Sequence, residues 1–408
     1  MARPGVDPTN RNPGRGEPAA PSLGVVAAIA LLLTGCGATR SHPPVVASAP
    51  APPLTADQIA ALIPDQVRDR RAWSDAILNA LAANQLTIDP TSACAVIAVI
   101  GQESGFQEDP VVPGLAKLVG ARVDDYKSKL GPLGDPLFER LLAGRAPDDP
   151  RSFQQRLRTV RSERDVDVLF RDLLAYYQVN HPALFEAARW AGKLIELDDL
   201  VALNPITTAG AMQVSVRFAE QWARTHKGSA ATVRDALYTR AGGVFYGTAR
   251  LLAYPVHYDQ PLFRFADYNA GYYASRNAAL QAQLSQLTGV KLALDGDLLG
   301  YQRNGEPRDD DSASSRAVQT FAARFAPQLS SRDIRRDLLA EKTLAFEDTA
   351  TFRAIRSVTA QRAGHPTPYA ILPEVALSSP KLSRTLSTEW FAHAVDRRYQ
   401  TCLTRGPR

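Results

Sequence analysis

The sequence predicts an all-α protein, and three observations support this fold class. From Thr55 onward, apolar residues recur at the spacing of amphipathic helices, and no stretch shows the alternation of an exposed strand. Breaks in the pattern fall at Pro or Gly, as at Asp109-Pro110 and Asn204-Pro205. No internal repeat or second linker is evident. We therefore expect one helical domain over residues 55–408, with a large helical insertion at about 105–206.

Residues 1–35 have the pattern of a lipoprotein signal peptide. Basic residues precede an apolar run from Leu23 to Leu33, which is too short to span a bilayer permanently. The run ends in Leu33-Thr34-Gly35-Cys36, which resembles the bacterial lipobox and implies that Cys36 carries lipid and anchors the mature chain in a membrane. Gly37, in place of an Asp, favours the outer membrane. The protein could lie on either the periplasmic or the outer face of that membrane. A plain signal peptide, or a short anchor, with an incidental cysteine is the alternative.

Residues 36–54 are rich in Ala, Pro and Ser and predict a tether that buries nothing. With Cys36 lipidated, only Cys94 and Cys402 remain. An even pair in an oxidising compartment predicts a disulfide between them, and two buried free thiols are the alternative.

The helical pattern is clearest in stretches separated by turn residues, and one of them ends at Glu103. The others are Ala72–Ala83, Pro136–Ala143, Asp165–Tyr177, Pro182–Ile195, Gln213–Arg224, Thr232–Tyr254, Ser275–Leu287 and Ser314–Phe325.

The helix that ends at Glu103 is the most informative of these. Its eight consecutive small or aliphatic residues, 93–100, leave no polar face, so the helix is expected to be buried all round. Asp89 and Pro90 predict its N-cap and first residue, and Gly105 its stop. Desolvation and the negative end of the helix dipole both favour a protonated Glu103, which is the state of a general acid. A solvated residue or a structural ion pair is the alternative.

Two further motifs follow the insertion. Thr208-Ala209-Gly210-Ala211-Met212-Gln213 places small residues just before a predicted helix, where backbone can approach a bulky ligand. Phe265-Ala266-Asp267-Tyr268-Asn269-Ala270-Gly271 combines aromatic and amide side chains with a Gly in a short turn. Either motif alone is commonly structural.

Glu103-Ser104, the Gly-Ala-Met-Gln turn and the Tyr-Asn-Ala-Gly turn occur in the motif order of the lysozyme-like lytic transglycosylases, and the chain resembles that family at these places. The resemblance implies a lysozyme-like fold, peptidoglycan glycan strands as substrate, and Glu103 as the sole catalytic acid/base. It also implies that Tyr268 hydrogen-bonds and orients Glu103. The motif residues that it assigns to substrate binding are Ser104, Met212, Gln213, Tyr268 and Asn269.

Aromatic residues flank these motifs and fit a sugar-binding groove, and the alternative is that most of them belong to the core. Tyr272 and Tyr273 are expected to be the exposed pair, because consecutive residues cannot both face inward on one helix. Tyr272 therefore joins the predicted substrate-binding residues. Asp267 replaces the usual Ala of the family, and it either raises the pKa of Glu103 or caps a helix. If Asp267 or Glu108 instead held a water across the cleft, the outcome would be hydrolysis.

The chain as a whole resembles the YaiW-like family of uncharacterised outer-membrane lipoproteins. Its recognisable stretches are Gly-Gln-Glu-Ser-Gly-Phe-Gln, Ala-Gly-Ala-Met-Gln-Val-Ser-Val and Asp-Tyr-Asn-Ala-Gly-Tyr-Tyr-Ala-Ser-Arg-Asn. The competing hypothesis is a non-catalytic lipoprotein that binds peptidoglycan or serves as a platform for an envelope protein partner.

Composition and spacing exclude several other functions. The formal net charge is only +5 and the basic residues are scattered, so no nucleic-acid binding is expected. The six histidines show no metal-ligand spacing, and the sequence contains no phosphate-binding glycine loop or nucleophile elbow. We expect no metal and no cofactor.

Overall fold

The computed structural model describes one compact unit, which begins at Pro52. The predicted signal peptide, Cys36 and most of the tether lie outside the described residues, as does most of the predicted helix Pro182–Ile195. Among the described residues, no helix combines the length and the apolar character needed to cross a membrane. The described ranges are 52–129, 131–183, 185–186, 204–226, 232–302, 305–377 and 386–406.

The described part of the chain is mostly α-helical, so the all-α prediction is confirmed. The helices of the N-terminal half are α1 (Ala56–Leu62), α2 (Arg70–Ala83), α3 (Pro90–Glu103), α4 (Leu115–Lys129), α5 (Gly134–Ala143), α6 (Phe153–Leu157) and α7 (Glu163–Asn180). Those that follow are α8 (Val216–Thr225), α9 (Val233–Leu237), α10 (Arg240–Leu252), α11 (Pro261–Ala270), α12 (Ala274–Thr288), α13 (Ala313–Phe325), α14 (Ser331–Leu338), α15 (Ala350–Ala363) and α16 (Thr388–Leu403).

Two short antiparallel strand pairs accompany the helices, and the sequence pattern did not reveal them. They are β1 (Thr208–Ala209) with β2 (Val214–Ser215), and β3 (Ala376–Leu377) with β4 (Leu386–Ser387). The helix predicted from Gln213 therefore begins only at Val216. The helix predicted over Thr232–Tyr254 is divided because Thr239 caps α10, its hydroxyl accepting the Gly242 N–H at 3.1 Å.

The central core surrounds α3. Residues 93–100 of α3 are all buried, and the helix packs against α1, α2, α10 and α16. Burial on every side explains why this helix carries no polar stripe. Large side chains that complete this core are Trp73, Ile77, Leu81, Phe265, Phe391 and Val395.

The predicted disulfide is present within this core. Cys94 of α3 and Cys402 of α16 are joined, with their Cα atoms 5.5 Å apart and 308 positions apart in the chain. The last helix of the protein is therefore covalently fixed to the helix that carries Glu103.

A second apolar cluster lies in the C-terminal part of the chain, between α12, α13, α14 and α15. Its edge is organised by Arg276, which is 1% exposed and stacks on the rings of Tyr273 and Phe346, with its Cζ 4.2 and 5.1 Å from the ring centroids. The apolar members include Leu280, Leu284, Val318, Phe321, Leu338 and Ile355.

The insertion forms its own small apolar clusters and is tied to the rest by a buried acid. Asp167 of α7 is fully buried, and its carboxylate accepts hydrogen bonds from Arg234 and Asn204, both at 2.7 Å, and from Arg171 at 3.1 Å. This network links α7 to α9 and to the segment before β1. Because a buried charge without partners is very costly, these contacts fix where the insertion rests.

Candidate active site

The sequence around α3 sets the position of Glu103. Asp89 caps the helix by accepting the Ser92 N–H at 2.7 Å, and Pro90 is the first helical residue, as predicted. Glu103 is the last helical residue. Gly105 and Phe106 then take positive φ angles of 60° and 66°, which turn the chain away from the helix axis. Glu103 therefore lies at the edge of the central core, where α3 ends.

The Glu103 carboxyl group is desolvated and has no polar partner. The residue as a whole is partly exposed, but its carboxyl group forms no hydrogen bond or ion pair with any residue that the structure describes. Burial alone raises the pKa of Glu103 from 4.5 to about 8. At neutral pH the group is therefore mostly protonated and can give up a proton.

Tyr268 approaches Glu103, but the predicted hydrogen bond between them is absent. The Tyr268 hydroxyl donates instead to the main-chain carbonyl of Met212 at 2.7 Å. Burial raises the pKa of Tyr268, and the charge of the nearby Glu103 carboxylate adds to the rise. The tyrosine therefore holds the Met212 turn near Glu103 without orienting the acid directly.

The turn between β1 and β2 depends on glycines that let it rest on α9 and α10. Gly210 has a φ of 78°, and a Cβ at this position would lie 1.9 Å from the Leu237 carbonyl oxygen. A Cβ at Gly247 of α10 would lie 2.2 Å from the Met212 sulfur. Met212 is fully buried, so its predicted place in the groove is wrong. It contributes a main-chain carbonyl, and its side chain packs on α10.

Gln213 lies beside this turn and contacts an acid that the sequence analysis did not identify. Its φ of 49° turns the side chain, and its Nε2 donates to Glu163 Oε2 at 3.0 Å. Its Oε1 accepts from the Thr208 hydroxyl at 3.0 Å. Glu163 is the first residue of α7 and only 8% exposed, so the insertion places a second carboxylate next to the motif turn.

A signal for Glu163 was present in the sequence. Ser162 and Asp165 form a capping box at the start of α7, with each side chain bonded to the main chain of the other. The Ser162 hydroxyl also donates to Asp109 at 2.9 Å, which brings the start of α7 to the loop that follows Glu103. The capping box predicts a helix start, but only the long-range contact to Asp109 places it near the site.

Ser104 and Asn269 have structural contacts in the free protein. Ser104 is 8% exposed, its hydroxyl donates to Ile100 O at 3.2 Å, and it accepts the Gln107 N–H at 3.2 Å. Asn269 is exposed, and its Oδ1 accepts from the Thr388 hydroxyl at 2.8 Å. Asn269 keeps its amide group available at the surface, whereas Ser104 is occupied with ending α3.

The expectation that Tyr272 and Tyr273 form an exposed pair is wrong. Tyr273 is 2% exposed and lies under Arg276. Its φ of 60° breaks the helical geometry on which the expectation rested. Tyr272 is partly exposed, with its ring 4.1 Å from the Arg250 guanidinium carbon and 4.2 Å from the ring of Tyr254.

The two other acids considered for catalysis are both engaged elsewhere. Asp267 is fully buried and accepts hydrogen bonds from Tyr258 at 2.6 Å, from Tyr254 at 3.3 Å and from the Ser275 N–H at 2.7 Å. It therefore caps the start of α12, which was one of the two predicted roles, while its own pKa is raised by burial. Glu108 forms an ion pair with Arg240 at 2.9 Å. Within the described ranges, no cluster of His, Cys, Asp and Glu has the arrangement of a metal site.

These features define an all-α protein with one desolvated, unpartnered acid at a helix end. The chain belongs to the family described as "Protein of unknown function (DUF1615)", whose model matches residues 66–405, a range that contains all the motif residues. It is 36% identical over 342 residues to "Uncharacterized protein YaiW" of Escherichia coli (strain K12), a match that covers 84% of this chain and 87% of that relative. The predicted YaiW-like family is thereby confirmed. No solved structure matches the chain.

Proposed function

We propose that this protein is a membrane-anchored lipoprotein that acts on peptidoglycan as a lytic transglycosylase with a lysozyme-like fold. The observation that carries the proposal is the state of Glu103, whose desolvated carboxyl group has no partner in the described structure and a pKa of about 8. A carboxylic acid that stays protonated at neutral pH is the reagent that cleaves a glycosidic bond. The lipid on Cys36 would hold the domain at the outer membrane, within reach of the glycan strands.

The proposed reaction needs only one acid. Glu103 gives its proton to the glycosidic oxygen between N-acetylmuramic acid and N-acetylglucosamine as the bond from that oxygen to the muramyl anomeric carbon breaks. The acetamido carbonyl of the muramyl residue stabilises the anomeric carbon. The muramyl hydroxymethyl oxygen then bonds to that carbon and closes an anhydro ring, and its proton returns to Glu103. No water is consumed, which distinguishes the reaction from hydrolysis with two carboxylates.

The neighbours of Glu103 would serve this chemistry in different ways. Gln213 and Asn269 offer amides for sugar hydroxyl or acetamido groups, and Tyr272 would contact the sugar through the exposed part of its side chain. Tyr268 would hold the Met212 turn against the helix end. Ser104 would stabilise the end of α3, which sets where the acid stands.

A second candidate is a non-catalytic lipoprotein that binds peptidoglycan or an envelope partner. The observation that favours it is the hydrogen bond of Tyr268 to Met212, which leaves Glu103 without the orienting contact that the resemblance implies. Catalysis requires an oriented acid, so an acid that no neighbour orients is equally compatible with a role in binding alone.

The test is to incubate residues 38–408 with purified peptidoglycan and to identify released muropeptides by mass spectrometry. Glu103→Gln is compared with Glu139→Gln, which makes the same change at an exposed position of α5. We expect anhydro-muramyl products from the wild type and from Glu139→Gln, and at least a hundredfold loss in Glu103→Gln.

Other outcomes would redirect the proposal. Reducing-end products would indicate a hydrolase and would turn attention to Glu163 as the residue that holds a water. If all three proteins bind the polymer in a pull-down and none releases fragments, the non-catalytic hypothesis is correct.

A further inference from the structure

A cavity of about 760 Å³ opens between α3, α16 and the turn that joins α1 to α2. Its floor includes Ile97, Ala98 and Gly101 of α3. Successive residues of an α-helix are about 100° apart around its axis, so Glu103 lies roughly 200° from Gly101. The cavity therefore opens on the side of α3 away from the Glu103 carboxyl group and is a separate site.

Four arginines line this cavity. Arg397 and Arg398 extend from α16, Arg405 follows that helix, and Arg68 comes from the turn between α1 and α2. All four are exposed to solvent. They come from two segments far apart in the sequence, so the fold itself assembles this charge.

Within the described residues, no carboxylate pairs with any of these arginines. The Arg398 side chain donates to the main-chain oxygen of Ala394 at 3.2 Å, and the Arg405 side chain donates to that of Leu62 at 3.5 Å. Asp65, in the adjacent turn, forms an ion pair with Arg70 at 2.5 Å and not with an arginine of the cavity. Elsewhere in the described ranges fourteen arginines form an ion pair with an acid, whereas these four lie together without one.

We propose that the cavity binds a small organic ligand that carries at least two negative charges on phosphate or carboxylate groups. Guanidinium groups donate paired hydrogen bonds that match the geometry of both anions, and a ligand of this charge would relieve the repulsion among the arginines. Ile97, Val67 and Phe106 also line the cavity and would contact a carbon portion. The volume is that of a small-molecule site rather than of a single ion.

The walls of the cavity are held rigidly. The disulfide between Cys94 and Cys402 joins the two helices that form it, about one turn from Ile97 and next to Thr401. A site whose walls are fixed before binding loses less entropy on association. This inference does not depend on the catalytic proposal, because Glu103 takes no part in it.

The experiment is isothermal titration calorimetry of the full-length protein, kept soluble by a nonionic detergent, at low and at raised salt. The probes are sodium pyrophosphate, citrate and dihexanoyl phosphatidic acid, with dihexanoyl phosphatidylcholine as the neutral baseline. We expect at least one anionic probe to bind, with affinity that falls as salt rises. The preferred probe identifies the source as a phosphate, a carboxylate or a lipid headgroup.

The variant Arg397→Gln/Arg398→Gln should lower the affinity for the probe that binds at least tenfold. The matched control is Arg122→Gln/Arg353→Gln, which removes the same charge from two exposed arginines that are ion-paired with Asp125 and Asp348. The control should leave affinity within twofold of the wild type. If no anionic probe gives heat above the neutral baseline, or if both variants weaken binding equally, the proposed site is wrong.

Discussion

Glu103 and Glu341 are both acids whose pKa is raised by desolvation, but their surroundings are opposite. Glu341 is fully buried near the C-terminal cluster, and its carboxylate accepts hydrogen bonds from the main-chain N–H groups of Leu298 and Leu299 and from Tyr301. Burial raises its pKa to about 7, and these bonds oppose the rise. Glu103 has no such donors, and its pKa rises to about 8.

The difference shows that Glu341 stabilises the fold, whereas the Glu103 carboxyl group is left free to interact with a ligand. A carboxylate surrounded by donors stabilises a unique packing of its region. A desolvated carboxyl group without donors costs stability, and proteins retain such costs chiefly at functional sites. The disulfide adds to the contrast, since it reinforces the Glu103 region, and no cysteine lies in the C-terminal cluster.

The largest effect should follow removal of the disulfide. In Cys94→Ala/Cys402→Ala, loss of a cross-link that closes so long a loop should lower the free energy of unfolding by up to roughly 5 kcal/mol. α3 should loosen and admit water to Glu103, so its pKa should fall toward its usual range while that of Glu341 stays raised. Urea unfolding followed by tryptophan fluorescence, repeated between pH 4 and pH 8, measures both effects. An unchanged pH dependence would show that the disulfide does not maintain the desolvation of Glu103.

Glu103→Gln should stabilise the protein, and only at higher pH. The folded protein keeps the Glu103 proton up to about pH 8, whereas the unfolded chain loses it near pH 4.5, so the wild type loses stability as pH rises between these values. The amide removes this penalty. We expect no difference from wild type at pH 4 and a gain on the order of 4 kcal/mol at pH 8. Equal stability of the two proteins at pH 8 would mean that the carboxyl group is solvated.

Glu341→Gln should have the opposite sign and a slightly smaller size. The amide nitrogen would face a main-chain N–H, so one buried donor would lose its acceptor, at a cost of about 3 kcal/mol. Urea unfolding at pH 8 measures the loss, with the exposed Glu139→Gln as the matched control that should leave stability unchanged. A neutral Glu341→Gln would remove the distinction between the two acids.

Local patterns predicted much of the fold. The Asp-Pro start and the apolar run gave the limits of α3, and the even cysteine count gave the disulfide. The short β1–β2 pair was missed because two-residue strands have no period to detect. The split between α9 and α10 was missed because a threonine within a helical pattern signals a cap only weakly.

The candidate site was less predictable, because its contacts join distant segments. Order of motifs identified Glu103 and the two turns, but it could not show that Tyr268 donates to Met212 or that the Met212 side chain enters the core. Glu163 reaches the turn through a contact across 50 positions of sequence. No local pattern reports which of two neighbouring side chains faces a cleft.

The packing of α3 against α16 has a consequence for folding during synthesis of the chain. The disulfide partner of Cys94 is made 308 residues later, which at bacterial and eukaryotic rates of about 5 to 20 residues per second is roughly 15 to 60 s. During that time a helix that is apolar on all sides lacks one of the helices that cover it. We therefore expect a chain that ends before Thr388 to leave one side of α3 uncovered and to aggregate rather than fold into a smaller domain.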